Sequence, residues 1–192
     1  MASNPVTKVT EEEYLAIDRA AEVRSEFFDG EMFAMSGGSM RHAQLQANLH
    51  GELYVALRGS DCQAFTSDFR VLVSPGRMYA YPDVTVVCGK PLLVDERQDI
   101  LVNPTVIFEV LSPSTEYYDR GVKFQYYRGI ESLRDYILVD QNQVRIEQYT
   151  RGEANTWTLH DYQRPEEELR IDSIQASLLV DRIYDRIELP IA

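Results

Sequence analysis

The sequence predicts a mixed chain of the α/β (α+β) class, with a mixed central sheet flanked by helices. Three observations predict it. Segments with helical apolar spacing alternate with β-type segments along the chain. Two of the apolar β-type runs, 79–88 and 105–111, are each interrupted by a single acid, as in a sheet covered on both faces. The composition is globular: 44% of the 192 residues are apolar and 26% are charged. No internal repeat, low-complexity stretch or linker divides the chain, so residues 1–192 read as one domain with a core over about 39–140.

The elements follow in order. Thr10-Glu-Glu-Glu13 is a capping box with an acidic first turn, and it opens a helix over about 10–20. The segment Glu26–Met35 is a hairpin, because Asp29-Gly30 suits a two-residue turn with positive φ and β-favouring aromatics flank it. Gly37-Gly38 breaks the chain, and Ser39 caps the next helix. In that helix, 40–58, Leu45, Leu49, Leu53 and Leu57 recur at i+4 and face a core; Gly59 ends it. Three strands are expected at 64–73, 79–88 and 105–111, closed or opened by Ser-Pro-Gly at 74–76, Gly89-Lys90-Pro91 and Asn103-Pro104. Ser112–Thr115 forms a turn, and a helix over 119–129 ends at Gly129 as its C′ residue. Strands at 136–140, 144–150 and 157–162 follow, and then a final helix within 176–187.

The net charge is -12, against the usual basic footprint of a protein that coats nucleic acid. The excess is uneven. Residues 1–60 carry a net -4, residues 61–130 a net -2 and residues 131–192 a net -6. Carboxylates that hold metal ions can still reach phosphates, so phosphodiester chemistry is compatible with this balance, whereas tight metal-free binding is not. No run approaches the roughly 20 apolar residues of a membrane span, and Met1–Glu13 lacks the apolar region of a secretory signal. Cys62 and Cys88 form no disulfide framework and read as buried thiols. The cytoplasm is the expected compartment.

The chemistry centres on acids within strand-like runs. Asp83 lies in Tyr-Pro-Asp-Val-Thr-Val-Val, and Glu109 in Val-Ile-Phe-Glu-Val-Leu. A buried carboxylate needs a compensating partner, whether a divalent cation, an Arg or Lys, or backbone N–H groups. If the two strands are neighbours in register, both acids project into one site whose hard oxygens suit Mg²⁺. Asp68 is a third acid that could join them. Downstream, Asp119, Arg120, Lys123 and Tyr127 share a helix face, so Lys123 could orient a water or stabilise charge on a phosphate. The plain alternative is an exposed Asp119–Lys123 pair. His42, in the first turn of the long helix, is either a satisfied capping or core histidine or a supporting residue of the site. Tyr117, Tyr118, Tyr126 and Tyr127 suit a core or a dimer interface, or base stacking.

These residues resemble the Uma-type restriction-endonuclease family, a former family of unknown function within the PD-(D/E)XK nuclease superfamily. The match rests on Tyr-Pro-Asp-Val around Asp83, Phe-Glu-Val-Leu-Ser-Pro-Ser-Thr from Phe108, and Asp119-Arg-Gly-Val-Lys-Phe124. It extends to Glu12-Glu13-Tyr14-Leu15, Glu26-Phe-Phe-Asp-Gly-Glu31, Ser36-Gly-Gly-Ser39 with Arg41-His42, and Thr66-Ser67-Asp68, and so covers nearly the whole chain. The resemblance implies a restriction-endonuclease-like core with an N-terminal helix-hairpin and C-terminal β additions. It also implies Mg²⁺- or Mn²⁺-dependent hydrolysis of nucleic acid, DNA first. Asp83 and Glu109 match the motif acids that hold metal. One departure stands out: the motif lysine falls at Leu111, so Lys123 is the substitute. A homodimer would suit cutting two strands. Two alternatives stay open: a catalytically inactive interaction module that keeps the nuclease fold, and a hydrolase of a smaller phosphorylated substrate.

Overall fold

A computed structural model describes residues 8–35, 37–94 and 96–190. Ser36, in the 36–39 string, and residues 1–7 of the stretch read for a signal lie outside them. Helix α1 (Glu11–Ala20) opens with the expected capping box: the Thr10 hydroxyl accepts from the Glu13 N–H, and the Glu13 carboxylate accepts from the Thr10 N–H. Strands β1 (Ser25–Phe28) and β2 (Glu31–Ala34) pair through a turn in which Asp29 and Gly30 take φ of 48° and 90°. That is the primed turn geometry that the Asp-Gly pair favours. Helix α2 (Met40–Ala56) starts at the Ser39 cap, and Leu45, Leu49 and Leu53 on its inner face are fully buried.

The next strands depart from expectation. The run 64–73 is two strands, β3 (Cys62–Thr66) and β4 (Arg70–Ser74), separated by a turn that contains Asp68. The run 79–88 is also two, β5 (Met78–Ala80) and β6 (Val84–Cys88), broken at Tyr81-Pro82-Asp83. Pro82 has no N–H to give a ladder, so the chain leaves one sheet there and enters another. Strands β7 (Ile100–Leu101), β8 (Val106–Leu111), β9 (Asp135–Asp140), β10 (Ile146–Arg151) and β11 (Trp157–Tyr162) follow. The C-terminal part holds β12 (Glu168–Ile171) and β13 (Ala176–Leu179), with a single helical turn after them. Only that turn, Val180–Ile183, is helical in the expected 176–187 helix; Ala176–Leu179 alternates buried and exposed, as a strand does.

The described residues form three sheets, in the orders β2-β1-β5-β4-β7, β11-β10-β9-β8-β6-β3 and β12-β13. In the six-stranded sheet β8 and β9 are parallel and β6 runs antiparallel to β8. All six residues of β8 are buried. One face of the sheet packs Val106, Phe108 and Val110 against the leucines of α2 and, beyond them, Leu169, Ile171, Leu178 and Ile183. The other packs Ile107 and Leu111 against Tyr127, Ile130, Leu133 and the five-stranded sheet. The crossover from β8 to β9 is helical: α3 (Glu116–Tyr118), a π-helical stretch Asp119–Lys123, then α4 (Phe124–Tyr127). Gly129 is not a left-handed cap, since it is absent from the positive-φ glycines; a Cβ there would lie 3.1 Å from the Tyr126 carbonyl oxygen.

The cysteines are joined, which corrects the reading of two thiols. Cys62 on β3 and Cys88 on β6 face each other in the antiparallel register and form a disulfide. They are 26 residues apart in sequence, so only the strand pairing brings them together.

Candidate active site

A cavity of about 590 Å³ opens where the two larger sheets meet. Its walls include Glu26 from β1, His42 from α2, Asp83 from the end of the Pro82 break, Glu109 from β8, and Asp119 and Lys123 from the π-helical stretch. Asp68 is exposed in its turn, outside this lining, which corrects its reading as a third strand acid beside Asp83 and Glu109.

Register brings the two principal acids together. Val84 pairs with Phe108, and Asp83 stands one residue before that pair on its chain as Glu109 stands one residue after it. Asp83 precedes its strand rather than interrupting it, so its carboxylate is not committed to the sheet interior. Gln46 Nε2 donates to Asp83 Oδ1 at 2.5 Å, the Val110 N–H donates to Oδ2 at 2.6 Å, and His42 Nε2 lies 3.4 Å from Oδ2. Burial opposes charge on His42, but the hydrogen bond and charge of Asp83 outweigh it and raise the imidazole above its ordinary value.

Glu109 is more deeply set, at 4% exposure. Its Oε1 accepts from Lys123 Nζ at 3.0 Å and from the Tyr127 hydroxyl at 2.9 Å. Lys123 Nζ is also 2.9 Å from Glu26 Oε1 and 3.4 Å from Asp119 Oδ1. The Asp119–Lys123 pair is therefore buried, at 2% and 6% exposure, rather than a solvated pair on the surface. Burial pushes the Glu109 carboxyl up; Lys123 opposes this, while Asp119, Asp83 and Glu26 add to it. Burial disfavours charge on Lys123, yet Glu109, Glu26, Tyr127 and Asp119 together hold it protonated well above its ordinary value. Burial likewise raises Asp119, against the pull of Lys123.

The donor set fits a divalent cation. Four carboxylates and one ammonium line the cavity, and after burial, the largest cause, the charges of Asp119, Asp83 and Glu26 add to the lift on Glu109. A hard cation reverses that balance by favouring the ionised form, and oxygen ligands are what Mg²⁺ and Mn²⁺ take. Among the described residues, the two hydrogen bonds to Glu109 both go to Oε1.

Leu111, two residues beyond Glu109, is 3% exposed and packed in the core on the Tyr127 side. The cation beside Glu109 comes instead from Lys123 on the crossover helix. π-helical turns recur at functional sites, and this one puts Asp119 and Lys123 on the buried side. Of the four tyrosines, Tyr127 orients Glu109, Tyr118 lines the cavity, Tyr126 stacks edge-on with Phe28, and Tyr117 is 88% exposed. Sequence reasoning did not single out Glu26 or Gln46. Glu26 had a signal, since it opens the Glu-Phe-Phe-Asp-Gly-Glu string. Gln46 had none beyond lying one turn after His42.

Comparison with known proteins agrees with this architecture. A family model described as "Putative restriction endonuclease", Uma2, matches residues 11–181. An uncharacterized protein of Synechocystis sp. is 36% identical over 183 residues, spanning 95% of this chain and 94% of its own. A second from the same organism is 36% identical over 154 residues, spanning 80% and 87%. The fold is shared with a crystal structure described as "a putative nuclease belonging to DUF820" from Anabaena variabilis. Its TM-score is 0.76 at 16% identity, covering 92% of this chain and 98% of that one.

Proposed function

Since the chain belongs to the Uma2 restriction-endonuclease family, we propose that it is a metal-dependent endonuclease that hydrolyses phosphodiester bonds of nucleic acid, DNA first. The observation that carries the reading is that Asp83 and Glu109 flank the Val84–Phe108 pair and line one cavity, with Lys123 bonded to Glu109. In this reading Asp83 and Glu109 hold Mg²⁺ or Mn²⁺. The ion, when bound, lowers the pKa of a water and stabilises charge on the phosphoryl oxygens.

The protein's own residues do the rest. Gln46 and the Val110 N–H fix the Asp83 carboxylate in one orientation, and Tyr127 does the same for Glu109. Lys123, bonded to Glu109, supplies a positive charge and hydrogen-bond donor toward a phosphoryl oxygen or the attacking water. His42 supports Asp83 from the α2 side. The proposal extends to one catalytic domain over 1–192, to action in the cytoplasm, and to a homodimer that cuts two strands.

The inactive-module reading draws on the buried Leu111, but Lys123 supplies a cation at Glu109 without it. The test uses the full chain and supercoiled plasmid. Nicking or cutting should require Mg²⁺ or Mn²⁺ and vanish in Asp83→Asn and in Glu109→Gln, with far-UV circular dichroism unchanged. Full activity in either variant overturns the proposal, and calorimetry with Mn²⁺ should show a site lost in Asp83→Asn.

A further inference from the structure

We propose that Glu26, on the N-terminal hairpin, is a positioning residue that aims the Lys123 ammonium into the cleft. The inference rests on reading the cavity as a phosphodiester-hydrolysing site. It makes the hairpin part of the working apparatus rather than an addition to the core.

A lysine ammonium has three donor hydrogens and sits on a stem with four rotatable carbons, so its position is set by its partners. Lys123 has three carboxylates around it, from Glu26, Glu109 and Asp119. Asp119 is one turn away on the same helical segment and moves with Lys123, so it cannot fix the ammonium against the sheets. Glu109 draws the ammonium toward the six-stranded sheet. Glu26 draws it from the other side, from the five-stranded sheet, at the shorter distance of 2.9 Å. The two opposed contacts define a point between the sheets.

Glu26 is itself held. Its neighbours Phe27 and Phe28 pair with Tyr79 and Met78 on β5, and Phe27 stacks on Tyr14 at 5.0 Å. Phe28 meets Tyr126 edge-on at 5.3 Å and Tyr118 at 6.3 Å. The same Glu26 Oε1 accepts from the Tyr81 N–H at 3.4 Å, two residues before Asp83. One carboxylate oxygen thus ties the ammonium to the segment that delivers Asp83.

The test reads Lys123 directly by ¹H–¹⁵N spectroscopy of the lysine ammonium groups in the full chain, with Lys123→Met to assign the signal. The proposal expects a slowly exchanging ammonium resonance in the wild type. Glu26→Gln should broaden or abolish it, Glu26→Asp should restore it in part, and Glu22→Gln, at an exposed site, should leave it intact. In plasmid cleavage, Glu26→Gln should lower kcat by about 100-fold with KM unchanged, as a misplaced group does. Mn²⁺ affinity by calorimetry should hold. An undiminished resonance in Glu26→Gln overturns the proposal, and so does a loss of Mn²⁺ affinity beyond about 100-fold, more than a residue behind the ligands costs, which would make Glu26 a ligand. Should the wild type cut nothing, the endonuclease reading fails alone, and the resonance still decides the place of Glu26.

Discussion

Replacing Arg70 by Met should destabilise this protein more than replacing its partner Asp18 by Asn, although both break one buried ion pair. Arg70 is 2% exposed and Asp18 fully buried, and the two are bonded to each other. Removing one member of such a pair costs about 3–5 kcal/mol, because the other charge is left buried. The structure orders the two cases. Without Arg70, the Asp18 carboxylate keeps, among the described residues, two neutral donors, the Ser25 N–H at 2.6 Å and the Tyr81 hydroxyl at 2.5 Å. That places Arg70→Met at the upper end, about 5 kcal/mol. Without the Asp18 charge, Arg70 keeps the Tyr81 oxygen at 2.8 Å and the Asp99 carboxylate at 3.6 Å, and an Asn oxygen still accepts from Ser25. That places Asp18→Asn near about 3 kcal/mol. The double variant Asp18→Leu/Arg70→Met should recover part of the loss, since no unpaired charge remains. The assay is urea unfolding followed by far-UV circular dichroism and by Trp157 fluorescence. Trp157 is the sole tryptophan and lies on β11 of the other large sheet, so a lag between the two signals would show the N-terminal part detaching first. A cost under about 1 kcal/mol for Arg70→Met, or the reverse order of the single variants, refutes the reasoning.

Three further outcomes are expected. Leu49→Ala, at a fully buried site on α2, should cost about 2–5 kcal/mol in the same titration. Reducing the Cys62–Cys88 disulfide should cost about 3.5 kcal/mol by loop entropy for a separation of 26 residues, read as the shift in urea midpoint with and without reductant. Asp99 is held below its ordinary value by its hydrogen bonds to Arg19, with Arg70 adding to the effect. Its contribution is therefore present above about pH 4 and fades as pH falls through the lower folded value. The stability gap between wild type and Asp99→Asn should stay constant from neutral pH down to about pH 5 and close in stronger acid.

Local signals carried the sequence reading where one segment settles its own structure. The capping box of α1, the Asp29-Gly30 turn and the leucine stripe of α2 each depend on residues a few positions apart, and each is present. Long-range partners decided the rest. Residues 64–73 read as one strand because they are evenly β-favouring, but the chain changes sheets at Ser67–Phe69. Pro82 marks the second break, inside an apolar run that otherwise reads as one strand. Strand β12 hides in an acidic stretch, because Leu169 and Ile171 face the core while Glu168 and Arg170 face out. The disulfide depends on a register no local pattern encodes. In the cavity, Asp83 and Glu109 stood out because carboxylates beside apolar runs demand an explanation. Glu26 did not, because it stands beside aromatics in a short hairpin strand, as a solvent-facing residue would, and meets Lys123 only after both sheets have formed.

The leucine face of α2 sets a schedule for the chain's synthesis. Leu45, Leu49 and Leu53 pack not only on the six-stranded sheet but also among Leu178, Val180 and Ile183 near the other end of the chain. At about 5–20 residues per second, the ribosome takes on the order of 10 s to make the intervening stretch. Throughout that interval the part of the apolar stripe that Leu178, Val180 and Ile183 cover stays open to a chaperone or to a neighbouring nascent copy. A chain stalled before residue 176 should therefore bind hydrophobic dyes and holdases, and extension past residue 183 should release both.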